Sequence, residues 1–472
     1  MSRLRNMLQP VSRLLPEIIP LIARHILLGN ASGTYPLIPL THVCQYWRES
    51  IISAPENWTL ISSNRMGLIA LTLERSKAIL LQVRLFNHPL VGRKKFRDLM
   101  ASHIQNIGIL RFKGLKNIED LTNALPNFPQ STPNLRSLEL TRVDSIIRSG
   151  PPIDRSIDPF GLFPNTLRSL TLYDIHICPS FLKLRTLTDL SLRYHMVKPP
   201  LDTLLDVLEE NCSLESVDLI IDSEKYPTKI SQRRTVVLNQ LRHLSITCRD
   251  TRIGRTLISG IPLRRGVHLE ITLHSNDAGL GLNSILTDIS MTHLSNLTSS
   301  TFMTYRSYPR EIRLIGPNGG FSYIQKYPMV PLPEFSETPF MEFPVLPLTN
   351  VKELRLVDSD PFVMSPQSFF PALETLIFKC DTGSSHLFFT SFPDPSLFPS
   401  LKTIGFLECA VAEELMEELT RFASNRKTTT PAWLHRVLIV HRDANFPTAA
   451  SIRELEKHVP IVDVRTSSID LT

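Results

Sequence analysis

The segment Leu135-Arg136-Ser137-Leu138-Glu139-Leu140 places leucine at its first, fourth and sixth positions, and this pattern returns along most of the chain. Further copies, with an apolar residue at those three positions, begin at Leu167, Leu187, Leu214, Leu241, Val351, Leu373, Leu401 and Leu434, and weaker copies begin at Leu80 and Ile104. Successive copies begin 32, 20, 27 and 27 residues apart in the first group, and 22, 28 and 33 residues apart in the second. The chain is therefore predicted to have a periodic architecture.

Each copy has the pattern of a short parallel strand, whose fourth and sixth residues enter the core while the third, fifth and seventh face the other way. Helices are predicted between strands where apolar residues recur at helical spacing: Leu201, Leu204, Leu205 and Leu208, then Val411, Leu415, Leu419 and Phe422. The expected fold class is α/β, with an irregular, curved leucine-rich-repeat solenoid of parallel short strands and covering helices at 80–472. A doubly wound sheet also alternates strands and helices, but it would not repeat one hexapeptide pattern.

The segment 254–348 is the least regular part of the predicted solenoid. It contains candidate strands at 267–273 and 311–315, a glycine-rich turn at 316–320 and a proline-rich stretch at 328–347. Prolines in that stretch forbid a continuous helix or a central strand. We interpret it as a surface loop between repeats, with a lid or binding insert as the alternative.

Residues 14–58 have a different pattern, with two apolar stripes at helical spacing. Pro16 is tolerated in a first helical turn, so Leu15 and Pro16 are predicted to start a helix. Its stripe is Ile18, Ile22 and Ile26, and the second stripe is Leu40, Val43, Cys44, Trp47 and Ile51. A block of about fifty residues has a marginal core of its own, so this apolar surface is expected to pack against another structure.

Three short segments of this block resemble the F-box, a small helical module that docks onto a Skp-family adaptor of cullin-based ubiquitin ligases. They are Leu15-Pro16-Glu17-Ile18-Ile19, Val43-Cys44-Gln45-Tyr46-Trp47-Arg48 and Pro55-Glu56-Asn57-Trp58. The following Leu73-Glu74-Arg75-Ser76 is similar to a helix of the expanded fungal F-box families. The resemblance implies a three-helix module at 12–62, a linking helix at 63–79, and then the repeat domain. The alternative is an N-terminal helical cap buried on the rest of the chain.

The resemblance also implies which residues contact the adaptor or directly support that contact. They are Leu15, Pro16, Ile18, Ile19, Val43, Cys44, Trp47, Ile51 and Trp58. Pro16 and Trp47 are the expected centre of this surface, because a buried aromatic in a partner's pocket is the usual hot spot of an interface. Ile22 and Ile26 are expected to pack inside the module.

Composition indicates a globular intracellular protein. The chain is 42% hydrophobic and 20% charged, with a net charge of +6, and its basic clusters are short and isolated, so no nucleic-acid partner is expected. No apolar run reaches the roughly 18 residues of a membrane span, so no membrane partner is expected. Six cysteines without a CxxC pair are typical of a reducing compartment, which predicts a cytoplasmic or nuclear location.

Catalytic motifs are missing from the sequence. We find no HExxH, no phosphate-binding loop motif, no GxSxG elbow and no metal-like cluster of histidine and cysteine, so neither an enzyme nor a cofactor is expected. A nucleophilic pair such as His243 with Cys248 stays open as an alternative. The outward strand positions mix both charge signs and leave the target-binding residues unknown: Glu139, Thr171, Tyr173, Arg193, Asp218, His243, Thr247, Arg355 and Lys379.

These features lead to one expected function and two alternatives. The resemblance implies a substrate-recognition subunit of a Skp/cullin/F-box ubiquitin ligase, in which the N-terminal module binds the adaptor and the repeats bind a target protein for degradation. The first alternative is a leucine-rich-repeat scaffold that assembles proteins without degrading them. The second is an enzyme with its site in segment 254–348.

Overall fold

The computed structural model describes most of the predicted elements, and the chain divides into two compact units, an N-terminal unit at 1–214 and a C-terminal unit at 215–472. The described residues are 14–28, 35–62, 65–86, 94–115, 125, 128, 132–142, 166–175, 184–194, 200–221, 235–264, 266–274, 285, 300, 302–306, 310–316, 319–326, 348–357, 370–379, 389, 398–409, 411, 413–429, 433–441 and 447–466. The proline-rich stretch 328–347 lies outside them, as do residues 12 and 13 of the expected module.

The N-terminal unit begins with short helices. They are α1 (Ile18–Leu28), α2 (Leu37–Leu40) and α3 (Gln45–Ser53), followed by a 3-10 turn (Pro55–Trp58) and α4 (Met66–Ser76). The second predicted stripe does not run along one helix, since α2 has only four residues and Cys44 is extended, with φ −159° and ψ 171°. Helix α4 lies inside the expected linking helix at 63–79.

The first predicted stripe is wrong by one residue. The face of α1 that packs into the module core consists of Ile19, Ala23 and Leu27, at i, i+4 and i+8. Ile22 and Ile26 are only half-buried, and Ile18 is exposed. One residue corresponds to a rotation of about 100° around a helix. Because α1 has apolar residues on several sides, its sequence pattern is compatible with more than one buried face.

Six strands follow one another in parallel in the N-terminal unit. They are β1 (Leu60–Ile61), β2 (Leu81–Phe86), β3 (Ile107–Leu115), β4 (Ser137–Arg142), β5 (Ser169–Tyr173) and β6 (Asp189–Tyr194), each hydrogen-bonded to the next. The fourth residues of three successive copies, Leu138, Leu170 and Leu190, are buried as predicted, and the strands align them with one another. Further helical elements among the described residues of this unit are α5 (Lys94–Ala101), a 3-10 turn (Ile104–Asn106) and α6 (Leu201–Glu210).

The C-terminal unit has parallel strands on both sides of an antiparallel insertion. Strands β7 (Ser216–Ile221), β8 (His243–Cys248) and β9 (His268–His274) are parallel, as are β13 (Glu353–Val357), β14 (Thr375–Lys379), β15 (Thr403–Leu407), β16 (Arg436–His441) and β17 (Ile461–Thr466). Between them β10 (Phe302–Arg306), β11 (Arg310–Gly316) and β12 (Gly319–Lys326) form an antiparallel meander. From β9 to β13 the strands are arranged in the sheet as β9, β12, β11, β10 and β13, so the three meander strands lie in the reverse of their order in the chain. Strand β12 pairs with β9, and β10 pairs with β13.

The helices of the C-terminal unit include the second predicted amphipathic helix. They are α7 (Thr251–Gly260), α8 (Glu413–Thr429) and α9 (Ala449–Glu456), with a 3-10 turn at Leu348–Asn350. In α8 the predicted residues Leu415, Leu419 and Phe422 are buried, and Val411 precedes the helix. In the N-terminal unit, α6 likewise buries the four predicted leucines.

The fold class is confirmed as α/β with predominantly parallel strands, and its core includes the fourth and sixth residues of most copies of the repeated pattern. In β14, for example, Leu376 and Phe378 are buried, whereas Thr375, Ile377 and Lys379 are partly or fully exposed. The segment 254–348 contains β9 and β11 close to the predicted bounds, together with β10 and β12, which were not predicted. Among the helices that the structure describes, none is long and apolar enough to cross a membrane.

Candidate protein-docking site

The N-terminal helices share one small core that contains four of the predicted contact residues. Ile19, Trp47, Ile51 and Trp58 pack together with Ala23, Leu27 and Leu37. The indole Nε1 of Trp58 donates to the carbonyl of Ile51 at 3.0 Å. On the other side of Trp58, the guanidinium of Arg75 in α4 lies 4.4 Å from the ring centre, within cation–π range. These contacts fix the position of the module's inner surface.

The predicted contact residues divide into a buried and an exposed group. Trp47 is only 7% exposed and Ile19, Ile51 and Trp58 are fully buried, so these four support the module from within. The expectation that Trp47 enters a partner's pocket is therefore wrong for this conformation. Cys44 is half-buried, and the exposed residues are Leu15, Pro16, Ile18 and Val43.

One hydrogen bond brings the exposed residues of the first and second motifs together. The phenol of Tyr46, in the first turn of α3, donates to the carbonyl of Leu14 at 2.7 Å. Leu14 directly precedes the exposed Leu15, and Tyr46 lies three residues after the exposed Val43, so this bond joins the two segments that carry these side chains. Motifs separated by about thirty residues of sequence are thus held next to each other.

Leu21 extends this surface along α1, because it follows the exposed Ile18 at i+3. We call Leu15, Pro16, Ile18, Leu21 and Val43 the N-terminal apolar face. Leu15 is 65% exposed, Leu21 57% and Val43 49%. Single exposed apolar residues are common on protein surfaces, but several together on one small module are typical of a protein-interaction surface. Leu21 was not among the predicted contacts, although its i+3 spacing from Ile18 could have indicated it.

The outward side chains of the repeated strands, in both units, are a second set of accessible residues. None of the nine outward residues named from the sequence is buried. Alignment of the strands brings further charged residues onto this side that sequence reasoning missed, namely Arg84 on β2 and Arg111 and Lys113 on β3. They were missed because β2 and β3 carry the weaker copies of the repeat. With Glu139 on β4 they keep the mixture of charge signs that the sequence indicated, but with more cations than carboxylates on these three strands.

A ladder of polar side chains holds the strand starts in position. The hydroxyl of Thr166 donates to the carbonyl of Leu135 at 3.0 Å, and that of Thr186 donates to Leu167 at 2.9 Å. Further members of the ladder are Asn134, Ser213 and Ser400, each of which precedes the first apolar residue of a copy and donates to the backbone of an earlier one. This ladder was not predicted, although a Ser, Thr or Asn before that residue is visible in the sequence.

The open alternative of a His243–Cys248 pair is not supported by the geometry. The two residues lie five apart on β8, so they face opposite sides of the strand. Cys248 is fully buried, and burial raises the pKa of its thiol to about 12, which keeps it in the unreactive thiol form. His243 instead stacks on His268 of the neighbouring strand, with ring centres 5.5 Å apart and planes 6° apart.

The described cysteines, Cys44, Cys212, Cys248 and Cys409, are all free thiols. The thiol of Cys409, the residue that closes its copy of the repeat, donates to the carbonyl of Phe378 at 3.3 Å. Within the described residues, no group of three or more His, Cys, Asp or Glu side chains is arranged to hold a metal ion. No protein-family model matches the chain, and no curated protein matches it.

Proposed function

We propose that this protein is the substrate-recognition subunit of a Skp/cullin/F-box ubiquitin ligase. The N-terminal helices act as the F-box and bind the adaptor, and the repeats form a solenoid that binds a target protein. The chain itself contributes proximity, since ubiquitin transfer would be carried out by its partners.

The observation that carries the proposal is the division of the motif residues between core and surface. Trp47, Trp58 and Ile51 form a support, and the N-terminal apolar face lies outside it without cover from the described residues. A cap that served only to close the end of the repeats would bury Leu15 and Val43 rather than expose them. The arrangement therefore favours docking onto a separate partner over the alternative of a structural cap.

The repeats suit target binding because their strands offer a regular row of outward side chains. In the N-terminal unit, the aligned residues of β4, β5 and β6 include Glu139, Thr171 and Ser191. All three are partly exposed, while their sequence neighbours are buried. A rigid surface of this kind binds a partner with little loss of conformational entropy.

The test uses the double variant Leu15→Asp/Val43→Asp, which places charge on the N-terminal apolar face without touching the module core. We expect the variant to lose co-purification with a Skp-family adaptor, since each buried aliphatic side chain contributes about 1.5–3 kcal/mol at an interface. Helix content by circular dichroism and the melting temperature should stay at wild-type values. Trp47→Ala is a poor test, because removing a core tryptophan would unfold the module.

The matched control is Val237→Asp, because Val237 in the C-terminal unit is 49% exposed, as Val43 is. This control should keep full adaptor binding. Persistence of adaptor binding in the double variant, or equal loss in the control, would rule out the N-terminal apolar face. If the adaptor binds and bound target proteins do not accumulate when the cullin is inhibited, the protein is a non-degradative scaffold.

A further inference from the structure

Three cations and one carboxylate lie together on the outward side of β2, β3 and β4. Arg84, Arg111 and Glu139 are aligned in one row across the three strands, and Lys113 is two residues beyond Arg111. Arg111 Nε lies 3.2 Å from one Glu139 oxygen, and Lys113 Nζ lies 3.5 Å from the other. Glu139 is thus shared by two cations, which leaves this cluster with an excess of positive charge.

Arg84 contributes to this excess with a hydrogen-bonding partner, Gln82, that is neutral. The Gln82 side-chain oxygen accepts from Arg84 at 3.0 and 3.3 Å in the amide orientation that satisfies both side chains. Burial lowers the pKa of Arg84, and the neighbouring charge of Arg111 lowers it further, while Glu139 opposes both effects. The two guanidinium groups therefore repel each other, and an added anion between them would relieve that repulsion.

An exposed aromatic ring lies beside these charges. Phe86 ends β2, is aligned with Lys113 on β3 and is 42% exposed. The next two strands along the row contribute only Thr171 and Ser191, which are neutral. The surface therefore combines a local positive charge, one apolar contact and a neutral continuation of the Arg84 row, while Arg193 on β6 lies in the neighbouring row of Lys113.

We infer that the outward side of β2 and β3 binds an acidic segment of a protein, with its carboxylates on Arg84 and Arg111 and an apolar side chain on Phe86. This inference rests on the proposed function, because it names the chemical class of target that the repeats would hold. Arginine suits this role, since its planar guanidinium binds carboxylates in a bidentate manner.

A nucleic acid fits the same surface less well. Binding to a nucleic-acid backbone depends on many phosphate contacts, whereas this cluster has three cations on two strands that lie about 5 Å apart. Glu139 lies between the cations and the rest of the row, where it would repel a continuing phosphate backbone. An acidic peptide needs only two or three carboxylates at this point.

The experiment measures fluorescence anisotropy of a labelled twelve-residue peptide of Asp and Glu with one central Leu, added to the full-length chain. We expect saturable binding that weakens with added salt and that is absent for the same peptide with Asn and Gln. Arg84→Glu/Arg111→Glu should weaken binding about tenfold or more. The milder variant Arg84→Gln/Arg111→Gln, which removes the charges without reversing them and should perturb folding less, should also weaken peptide binding.

The matched control is Arg136→Glu/Arg168→Glu, which makes the same change of net charge at exposed positions of the same unit. It should bind the peptide nearly as well as the wild type. No binding by the wild type, equal weakening in the control, or tighter binding of a single-stranded oligonucleotide would each overturn the inference.

The same measurement separates this inference from the proposed function. Leu15→Asp/Val43→Asp should still bind the peptide but no longer bind the adaptor. Arg84→Glu/Arg111→Glu should still bind the adaptor but bind the peptide weakly. Loss of both by either variant would contradict the assignment of two independent surfaces.

Discussion

Arg426 is a charged side chain that is fully enclosed in the C-terminal unit. Its guanidinium donates to three carbonyls of the turn before β15, those of Phe398 at 2.8 Å, Pro399 at 3.2 Å and Leu401 at 2.7 Å. Burial lowers its pKa to about 10, so it stays protonated at neutral pH. Three charge-assisted hydrogen bonds offset the cost of removing the charge from water and connect α8 to the turn.

We predict that Arg426→Met lowers the free energy of unfolding by about 3 kcal/mol, because three buried carbonyls lose their donor. The control is Arg421→Met in the same helix, whose side chain is exposed and pairs with Glu418 at 2.8 Å. An exposed ion pair is worth at most about 1 kcal/mol, so the control should be close to the wild type. Urea denaturation followed by circular dichroism compares the two, and equal midpoints would contradict a structural role for Arg426.

At the residue scale, the sequence predicted which side chains are buried better than it predicted which groups those side chains contact. The spacing of Leu415, Leu419 and Phe422 predicts the buried side of α8. One further turn at this spacing reaches Arg426. The pattern does not show, however, that the guanidinium of Arg426 contacts three backbone carbonyls. Likewise the F-box-like motifs picked out Trp47 and Val43 together. The structure was needed to show that Trp47 is buried in the core and that Val43 lies on the surface.

The ends of β5 and β15 share an unusual backbone conformation. Asp174 after β5 and Glu408 after β15 hold the same position of the repeat, and both are left-handed, with φ 54° and 58°. Each directs its N–H to the carbonyl of the next strand, Asp174 to Arg193 at 2.7 Å and Glu408 to Val440 at 2.6 Å. The left-handed turn thus aligns two neighbouring strands at the end of their pairing.

We predict that Glu408→Val lowers the free energy of unfolding by about 1–2 kcal/mol, because a β-branched residue is strained at positive φ. Glu408→Gly should stay within about 0.5 kcal/mol of the wild type, since relief of strain and a more flexible unfolded chain oppose each other. Lys379→Ala removes only the exposed ion pair with Glu408, 3.1 Å long, and should have little effect. Denaturant titration measures the free energy of unfolding of all three variants. If Lys379→Ala lowered it as much as Glu408→Val, the backbone explanation would be contradicted.

At the element scale, predictions succeeded where the pattern is local. Parallel strands at the repeated hexapeptides were predicted because alternation is a property of consecutive residues. The meander of β10, β11 and β12 was only partly predicted, since β12 pairs with β9 across a long stretch of sequence and no local pattern specifies that pairing. The left-handed turns were not predicted, because neither Asp174 nor Glu408 is a glycine.

Burial decreases toward the last strand of the C-terminal unit. On β16 the inward residues Val437 and Ile439 are fully buried, whereas their aligned partners on β17, Val462 and Val464, are only half-buried. Among the described strands β17 pairs only with β16, so it contributes fewer interactions than a strand that is paired on both sides. The cooperative core of this unit is therefore expected at its internal strands.

We predict that backbone amides of β17 exchange with deuterium at least about tenfold faster than those of β14, which has a strand on each side. Hydrogen exchange with mass spectrometry on the intact chain measures both. Strand β8, which also has a strand on each side, serves as the internal reference and should resemble β14. Equal protection of β17 and β14 would show that the unit opens as one body.

At the scale of the molecule, the order of the repeated parallel strands was predictable, whereas the pairing of the meander and the outward surface were not. A repeated pattern implies that neighbouring copies pair, so the parallel order follows from the sequence. The positive cluster depends on the alignment of Arg84 with Arg111 on the next strand, and the charge of that row becomes visible only when the register is known.

The uneven connectors between in-register strands have an evolutionary consequence. Successive copies begin from 20 to 33 residues apart, yet their strands keep the same alignment. Polar side chains at several strand starts and the left-handed residues after β5 and β15 support this alignment locally, and loop length adds little to the free-energy cost of closure. Insertions and deletions in the connectors can therefore accumulate in a lineage without refolding the strands, so partner preference can diverge faster than architecture.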